Sequence, residues 1–436
     1  GSAQIVDGSV GAGDIDAGEV QARVTGTCPS GEAIASIGAN GTVSCNAGAG
    51  GGAWSTSGNA VSPGRFLGTT NAEPLELRVN GVRVFRAVDA VDGTAHAPNV
   101  LLGSENNVID SGVHGATISG GGGTARPSCG SGLGPCVNTV WANYATVIGG
   151  IGNFADGEAA IVGGRDSQAT GDGAIAFGNF SEATARDALA VSGGRALGSQ
   201  SIALGDSFSS GQGSVTLGRE ARAVGDDAVA LGFSTEAGGA GAFSAGNDST
   251  AGGNSSIAIG ASSEASGVSS IALGTNADAI ANQSIAIGTG TNAEAADSIA
   301  IGRDVTAAGQ WAMAVNRATY AGGDGSFAAG WRVRVRDAAD VGEIDGTGNC
   351  NAGSGNCGDE GVFIWGDSQN VTTTSTAPDQ FLIRARGGVG IGTNAPRNQL
   401  DVRRTSKGPA LNANHVAVVE NEATNNGHVL ALKSNT

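Results

Sequence analysis

Bulky and charged residues are scarce in this chain of 436 residues. Aromatic side chains make up 4% of it and charged side chains 14%, whereas 77 residues are glycine. This is too little bulk to fill a conventional globular core of that length, because large apolar side chains dominate such interiors. We therefore expect a thin fold whose core is a narrow ladder of side chains.

Basic residues are also few. The chain holds 23 Lys and Arg against 40 Asp and Glu, a formal net charge of −17. Nucleic acid requires a basic face to meet its phosphates, and anionic membrane surfaces attract basic segments in the same way. We therefore expect neither as a partner. The sequence has no apolar run of about 18 residues, so we also expect no insertion into a membrane.

The six cysteines fall into local pairs. The pairs are Cys28 with Cys45, Cys129 with Cys136, and Cys350 with Cys357. The last two enclose glycine-rich loops with the spacing C-x6-C, and neither a C-x2-C spacing nor an adjacent histidine accompanies them, as a zinc site would require. We expect three disulfides, an oxidising extracellular setting, and no metal or other cofactor.

What the chain has in abundance is a repeat of two apolar residues around a small one, followed by glycine. The clearest copies are Ile257-Ala258-Ile259-Gly260, Ile271-Ala272-Leu273-Gly274, Ile285-Ala286-Ile287-Gly288 and Ile299-Ala300-Ile301-Gly302. A fixed short period is typical of a solenoid. A period of about 14 residues suits one coil with two short strands and two turns. The repeat therefore predicts an all-β, parallel β-roll.

Two columns of large apolar residues flank the small one. Their clearest members are Ile257, Ile259, Ile271, Leu273, Ile285, Ile287, Ile299 and Ile301. Residues two apart on a strand share a face, so we expect these side chains to form the core of the roll. The alanine between them would then lie on the second face of the strand. A strand with one wet face normally places polar groups there, so we expect a neighbouring subunit to cover the alanines.

At these Ser-Ile-Ala-Ile-Gly repeats the chain closely resembles the YadA-like head of trimeric autotransporter adhesins. The resemblance covers about residues 100–330. It implies that the roll is left-handed and that three chains stand side by side around a threefold axis.

The flanks resemble phage tail fibres and bacterial fibre proteins that a chaperone trimerises. The resemblance rests on Phe381-Leu-Ile-Arg-Ala-Arg-Gly-Gly-Val-Gly-Ile-Gly-Thr393 and on Leu400-Asp-Val402. We therefore expect a mosaic homotrimeric fibre with small β units at both ends of the roll.

The order of these features predicts five segments. They are a stalk with a disulfide-closed unit and a glycine linker (1–53), a β-hairpin unit (54–99), the YadA-like head (100–378), a tail-fibre-like β unit (379–402), and the start of a C-terminal β tip or chaperone-proximal segment (403–436). Two cysteine loops, 121–139 and 331–361, interrupt the head. Gly1-Ser2 is typical of tag removal and we expect Thr436 to be a cut end, so secretion and anchoring signals would lie outside this sequence.

Aromatic and basic residues gather near the last coils. They are Trp311, Tyr320, Trp331, Arg332, Arg334 and Arg336. The end of a solenoid needs bulk and polarity to close its core, so this set fits a cap. A contact to a carbohydrate or a protein is the alternative. Acidic residues are instead spread along the repeat, and they predict neither paired catalytic carboxylates nor the nonapeptide calcium sites of other β-rolls.

Together these features predict a non-enzymatic, extracellular, trimeric fibre that adheres to a cell surface, a glycan or matrix. Several weak sites on one rigid fibre would give strong attachment. Two alternatives stay open. One is a structural spacer or tail-fibre shaft whose receptor-binding tip lies elsewhere, and the other is a polysaccharide-degrading spike. The sequence does not name the glycan or protein that serves as ligand.

Overall fold

The computed structural model describes residues 24, 26–29, 33–46, 63, 66–123, 136–342 and 358–402. Within them the structure is all-β, as the repeat predicts, and its one helix is the four-residue segment Ala338–Val341. No helix in this part of the chain has the length and apolar character needed to cross a membrane. The chain divides into two compact units, 1–73 and 74–436.

The described part of the first unit contains a small β-hairpin closed by a disulfide. Strand Ala33–Ile37 pairs antiparallel with Val43–Asn46, and Cys28 is bonded to Cys45 on the second of these strands.

Several predicted features lie outside the described residues. They are most of the stalk and linker, the segment 403–436, and Cys129, Cys350 and Cys357. Cys136 is disulfide-bonded.

The second unit begins with a hairpin around Asn80-Gly81. Strands Leu75–Val79 and Val82–Val88 pair antiparallel, and the two turn residues have φ of 49° and 77°, which an Asn-Gly turn accommodates. Val82–Val88 also pairs antiparallel with Asn99–Leu102, so the hairpin joins the sheet that continues into the solenoid. The segment between them holds a short antiparallel pair, Val91–Asp92 with Ala95–His96.

From Asn99 onward the described chain winds into a parallel β-solenoid of about 20 turns within one continuous sheet. Each turn contributes to two ladders of strands. The first ladder contains Asn99–Leu102, Thr117–Ile118, Thr146–Ile151, Ile161–Arg165, Ile175–Asn179, Leu189–Val191, Ile202–Leu204, Val215–Leu217, Val229–Phe233, Phe243–Asn247 and Ile257–Ala261. The second ladder contains Val108–Ile109, Thr139–Val140, Phe154–Ala155, Gln168–Ala169, Glu182–Ala183, Arg195–Ala196, Phe208–Ser209, Arg222–Ala223, Glu236–Ala237, Thr250–Ala251 and Glu264–Ala265.

In the later turns one long strand runs through both ladders. These strands are Ile271–Ala279, Ile285–Ala293, Ile299–Ala307, Met313–Ala321 and Phe327–Val335. Successive turns keep a constant register, so that Ile271 stands opposite Ile285 and Ala272 opposite Ala286. Each column of the sequence thereby becomes a straight row of side chains.

The solenoid continues beyond the second cysteine loop. Phe363–Gly366 pairs with the strand Phe327–Val335 and then with Phe381–Arg384, while Thr373–Thr374 extends the second ladder. The predicted boundary after residue 378 therefore falls between two paired strands. A small parallel pair, Val389–Ile391 with Leu400–Val402, follows.

The core of the solenoid is made mainly of alanine. Ala258, Ala272, Ala286 and Ala300 of the first ladder are fully buried, and Ala265 of the second ladder belongs to the same cluster. The two ladders thus face each other mainly through methyl groups, which is why the interior is thin.

The prediction that the large aliphatic columns form the core is wrong. The side chains in question, Ile257, Ile259, Ile271, Leu273, Ile285, Ile287, Ile299 and Ile301, lie on the outer face and stay partly exposed. Alternation places the two sets on opposite faces of the strand, but only the small set fits between closely spaced ladders.

The glycine that ends each repeat permits the close approach of successive turns. Gly288 has a φ of +134°, and a Cβ atom there would lie 1.8 Å from the carbonyl oxygen of Gly302 in the next turn. Any side chain would collide with that backbone, so glycine occupies the slot. Asn316 stands in the same slot with a φ of 87°, which is an exception that bears on the site described below.

Candidate functional site

The six aromatic and basic residues near the last coils do not form a single cluster. Trp311 lies on a turn with a φ of 57° and is 63% exposed. Arg332 is exposed at a corner of the solenoid with a φ of 54°. The other four belong to three further groups of contacts, which differ in whether their charges are already compensated.

Tyr320 and Arg334 are neighbours on the outer face of the second ladder. The guanidinium of Arg334 lies over the phenol ring, 4.2 Å from its centroid, and the Tyr320 hydroxyl donates a hydrogen bond of 2.5 Å to Asp337. Burial and this carboxylate raise the pKa of the Tyr320 phenol. Arg334 also pairs with Asp337 and Asp340, so its charge is compensated within the chain.

Arg336 holds the end of the second ladder to the segment that follows the second cysteine loop. Its guanidinium donates to both carboxylate oxygens of Asp359, and Ser375 donates to the same carboxylate. The Ser375 hydroxyl also accepts a hydrogen bond from the Arg336 backbone N–H. The contacts of Arg334 and Arg336 thus favour the interpretation of these two arginines as a cap.

Trp331 instead borders a cavity of about 350 Å³ at the corner where the first ladder ends. The indole of Trp365 lines the same cavity, together with Asn316, Arg317 and Ser368. Trp365 is 38% exposed and occupies the second outer column of the first ladder, opposite Ala329 of the preceding turn. The cavity therefore lies beside the outer apolar columns.

The two charged side chains that line this cavity, Arg317 and Asp367, differ in whether they already have a partner of opposite charge. Arg317 lies over the Trp331 ring, 5.4 Å from its centroid, and it pairs with no carboxylate among the described residues. Asp367, which also lines the cavity, accepts hydrogen bonds from the backbone N–H of Arg386 and from the Arg384 side chain. These bonds lower the pKa of Asp367. The carboxylate is thus occupied by its own partners, whereas the Arg317 guanidinium is available to a ligand.

A second cavity, of about 390 Å³, lies beside the hairpin of the second unit. Its lining includes Arg86, Asp89, Asp110 and His114. The His114 ring packs edge-on against Tyr144, with ring centroids 5.1 Å apart. The lining mixes both signs of charge and does not favour one class of ligand.

Carboxylates meet along the second ladder because equivalent positions of successive turns are adjacent. Glu264 stands opposite Asp278, and burial together with the charge of Glu264 raises the pKa of Asp278. In the described part of the chain no group of three or more His, Cys, Asp or Glu side chains is placed to hold a metal ion.

The outer faces of the two ladders differ in polarity. Along the first ladder the outer columns are aliphatic, and at the C-terminal end Phe327, Phe363 and Phe381 stack with ring centroids 5.0 and 4.8 Å apart. Along the second ladder the outer column is polar. It reads Glu264, Asp278, Asn292, Thr306, Tyr320 and Arg334. A contiguous exposed apolar surface marks an interaction face, and here it lies on the first ladder.

Sequence reasoning singled out Trp331 but missed Asn316, Arg317 and Trp365 as members of one site. Two signals were present. Asn316 interrupts the column of glycines, and Trp365 places an indole in a column of aliphatic residues. Neither signal shows that the two residues border the same cavity.

Four segments of the chain match the family model described as the YadA head domain repeat (2 copies). They are residues 155–191, 209–235, 251–277 and 279–304. All four lie within the solenoid. No curated protein matches the chain.

Proposed function

We propose that this chain forms a homotrimeric fibre which attaches to a cell surface, glycan or matrix. The reason is that its solenoid is a YadA-like head of the type carried by trimeric autotransporter adhesins. In this proposal the turns are 14-residue coils of a left-handed roll, three rolls stand side by side, and the fibre is extracellular. The observation that carries the proposal is the aliphatic outer face of the first ladder.

This face supports assembly because it leaves apolar surface in water in a single chain. In its second column Ile148, Leu217 and Ile259 are 54%, 51% and 41% exposed. Removing apolar surface from water contributes about 25 cal/mol per Å², and parallel sheets normally have both faces covered. Packing three chains through the first ladder would bury these columns and leave the polar second ladder in water.

Trimerisation matters for attachment because it triples every binding site on one rigid body. Once one site has bound its ligand, the others encounter neighbouring ligands at a high effective concentration. Weak contacts at single sites then give strong attachment without catalysis, and this is the role we propose.

The first experiment is the native mass of the chain by light scattering. We expect three times 42.2 kDa. Ile287→Asp should lower the mass to that of one chain, because it places a charge on the aliphatic outer face of the first ladder. Thr289→Asp is the matched control, since Thr289 is an exposed residue of the same strand, and it should stay trimeric. A monomeric wild-type chain, or a trimeric Ile287→Asp variant, would overturn assembly through this face.

The second experiment measures adhesion of the trimer to mammalian cells and to immobilised matrix proteins. We expect the trimer to adhere and the monomeric Ile287→Asp variant to adhere far less, because only the trimer binds multivalently. A trimer that adheres to none of these surfaces would contradict the adhesin function and support a spacer role.

A further inference from the structure

We infer that the cavity between Trp331 and Trp365 binds an acidic saccharide, meaning a sugar that carries a carboxylate. The inference rests on the proposed attachment function and names a ligand class for it. Three observations support it: two indoles on one cavity, an arginine that pairs with no carboxylate in the described part of the chain, and a residue other than glycine in a slot that favours glycine.

The two indoles supply the apolar walls of the site. Trp331 and Trp365 both line the cavity. Trp365 occupies the position that Ala329 holds one turn earlier. An indole therefore stands where the preceding turn has a methyl group, and it forms one wall of the cavity. Small-ligand sites combine apolar, largely aromatic walls with a few polar groups that fix orientation. The flat C–H face of a sugar ring matches an indole face, while its hydroxyls require polar partners.

Arg317 gives the site its charge preference. Its guanidinium lies over the Trp331 ring and pairs with no carboxylate of the described residues. Such a group recognises carboxylates in a planar, two-bonded geometry. Asp367 does not offset it, since that carboxylate already accepts bonds from Arg384 and Arg386. In a chain with a net charge of −17, a cation left open on an aromatic cavity favours an anionic ligand.

Asn316 supplies an amide at a position where the fold favours glycine. Its φ is 87°, whereas Gly302 in the turn before has a φ of 137°. Asn316 is thus a residue with a side chain in a slot that most turns fill with glycine. An amide both donates and accepts hydrogen bonds, which suits sugar hydroxyls. Ser368 adds a hydroxyl to the same lining.

The cavity borders the outer columns of the first ladder, because Trp365 belongs to the second of them. A trimer assembled through that ladder would carry three such cavities, one beside each subunit interface. Each cavity needs only modest affinity for its saccharide, since the three act together.

The test titrates the wild-type trimer with tetragalacturonate and with 3′-sialyllactose, using lactose as the neutral control and calorimetry as the readout. We expect binding of at least one acidic sugar, weakened by salt, and at least about tenfold weaker binding of lactose. The two acidic probes distinguish a uronate from a sialate source of the carboxylate.

Variants locate the site. Arg317→Gln should weaken binding of the acidic sugar about tenfold or more and remove most of its salt dependence. Trp331→Ala should weaken it as well. Arg303→Gln is the matched control, because Arg303 stands opposite Arg317 one turn earlier but pairs with Asp304, and it should bind like the wild type. The trimer mass of each variant is measured in parallel, so that loss of binding is distinguished from loss of assembly.

Three results would overturn the site. They are no binding of either acidic sugar, equal binding of lactose, and unchanged binding by a trimeric Arg317→Gln variant. Adhesion to cells distinguishes this failure from failure of the proposed function. An Arg317→Gln trimer that adheres to cells like the wild type would overturn the site alone, whereas a wild-type trimer that binds neither sugar nor cells would overturn both.

Discussion

The guanidinium of Arg336 donates two hydrogen bonds of 2.8 Å to the carboxylate of Asp359, whose side chain is 1% exposed. Arg336 directly follows the strand Phe327–Val335, and Asp359 precedes the strand Phe363–Gly366. The pair therefore joins the two turns that the second cysteine loop separates. These two turns also contribute Trp331 and Trp365 to the cavity, so the ion pair helps to hold the two indoles of the candidate site together.

Replacing Asp359 by alanine should loosen the turns that follow it. The variant removes a buried carboxylate that accepts two hydrogen bonds from the partly buried Arg336, a loss of about 3 kcal/mol. We expect faster amide hydrogen exchange in Phe363–Gly366 and unchanged exchange in Ile257–Ala261. Asp304→Ala, which removes an exposed partner of Arg303, is the control and should cost less than about 1 kcal/mol. Unchanged exchange in Asp359→Ala would show that the pair does not hold these turns.

Gly288→Ala should prevent normal stacking of the turns around it. The added Cβ would meet the carbonyl oxygen of Gly302 at 1.8 Å, a backbone collision that no rotamer relieves, and we expect a loss of about 3 kcal/mol or more. Gly325→Ala is the control. It has a φ of +61° but open space around it, so it should cost about 1 kcal/mol. Thermal unfolding followed by circular dichroism measures both, and equal melting temperatures would contradict the close-approach argument.

Asp278→Asn should stabilise the head at neutral pH. Burial and the charge of Glu264 raise the pKa of Asp278, so the folded state holds this proton more tightly than the unfolded state. Stability therefore falls as pH rises from the unfolded value of about 3.9 through the raised folded value, and it stays reduced above that.

The variant should thus raise Tm at pH 7 and change it little at pH 3. Asn292→Asp is the opposite test. Asn292 stands next to Asp278 in the same column, so the variant lengthens the row of like charges and should lower Tm at pH 7. A Tm gain in Asp278→Asn that is equal at both pH values would argue against an effect of charge.

Both tyrosines of the chain, Tyr144 and Tyr320, should resist ionisation in the folded state. A hydrogen bond to Asp92 raises the pKa of Tyr144, and burial together with Asp337 raises that of Tyr320. An ultraviolet titration should therefore show little phenolate at about pH 10 in the folded protein and normal ionisation in denaturant.

Substitutions assign the signal to one residue. Tyr144→Phe leaves Tyr320 as the sole phenol, and the further change Asp337→Asn should then move its titration to lower pH. Half ionisation of the folded Tyr144→Phe variant at about pH 10 would contradict the contact between Tyr320 and Asp337.

Much of the fold can be predicted from the repeat by local rules. Strict recurrence of Ile-Ala-Ile-Gly predicts stacked strands in register, because each turn can bury its apolar residues only against the next. The candidate site is harder to predict from the sequence. Trp331 was visible as an aromatic residue in a chain poor in them, but Arg334 and Arg336 looked equally available, and the structure pairs both with carboxylates.

The sequence by itself determined the solenoid, the constant register of its later turns and the glycine at most corners, since a repeat imposes the same local geometry on each turn that keeps it. Only the tertiary structure decided which face lies inside. Ala286 and Ile287 alternate on one strand, and alternation is the same whichever residue points inward; the narrow gap between the ladders admits the methyl group and leaves the isoleucine outside. The tertiary structure also decided the site, because Arg317 and Trp365 line one cavity only through the register in which Phe363–Gly366 joins the strand before the second cysteine loop.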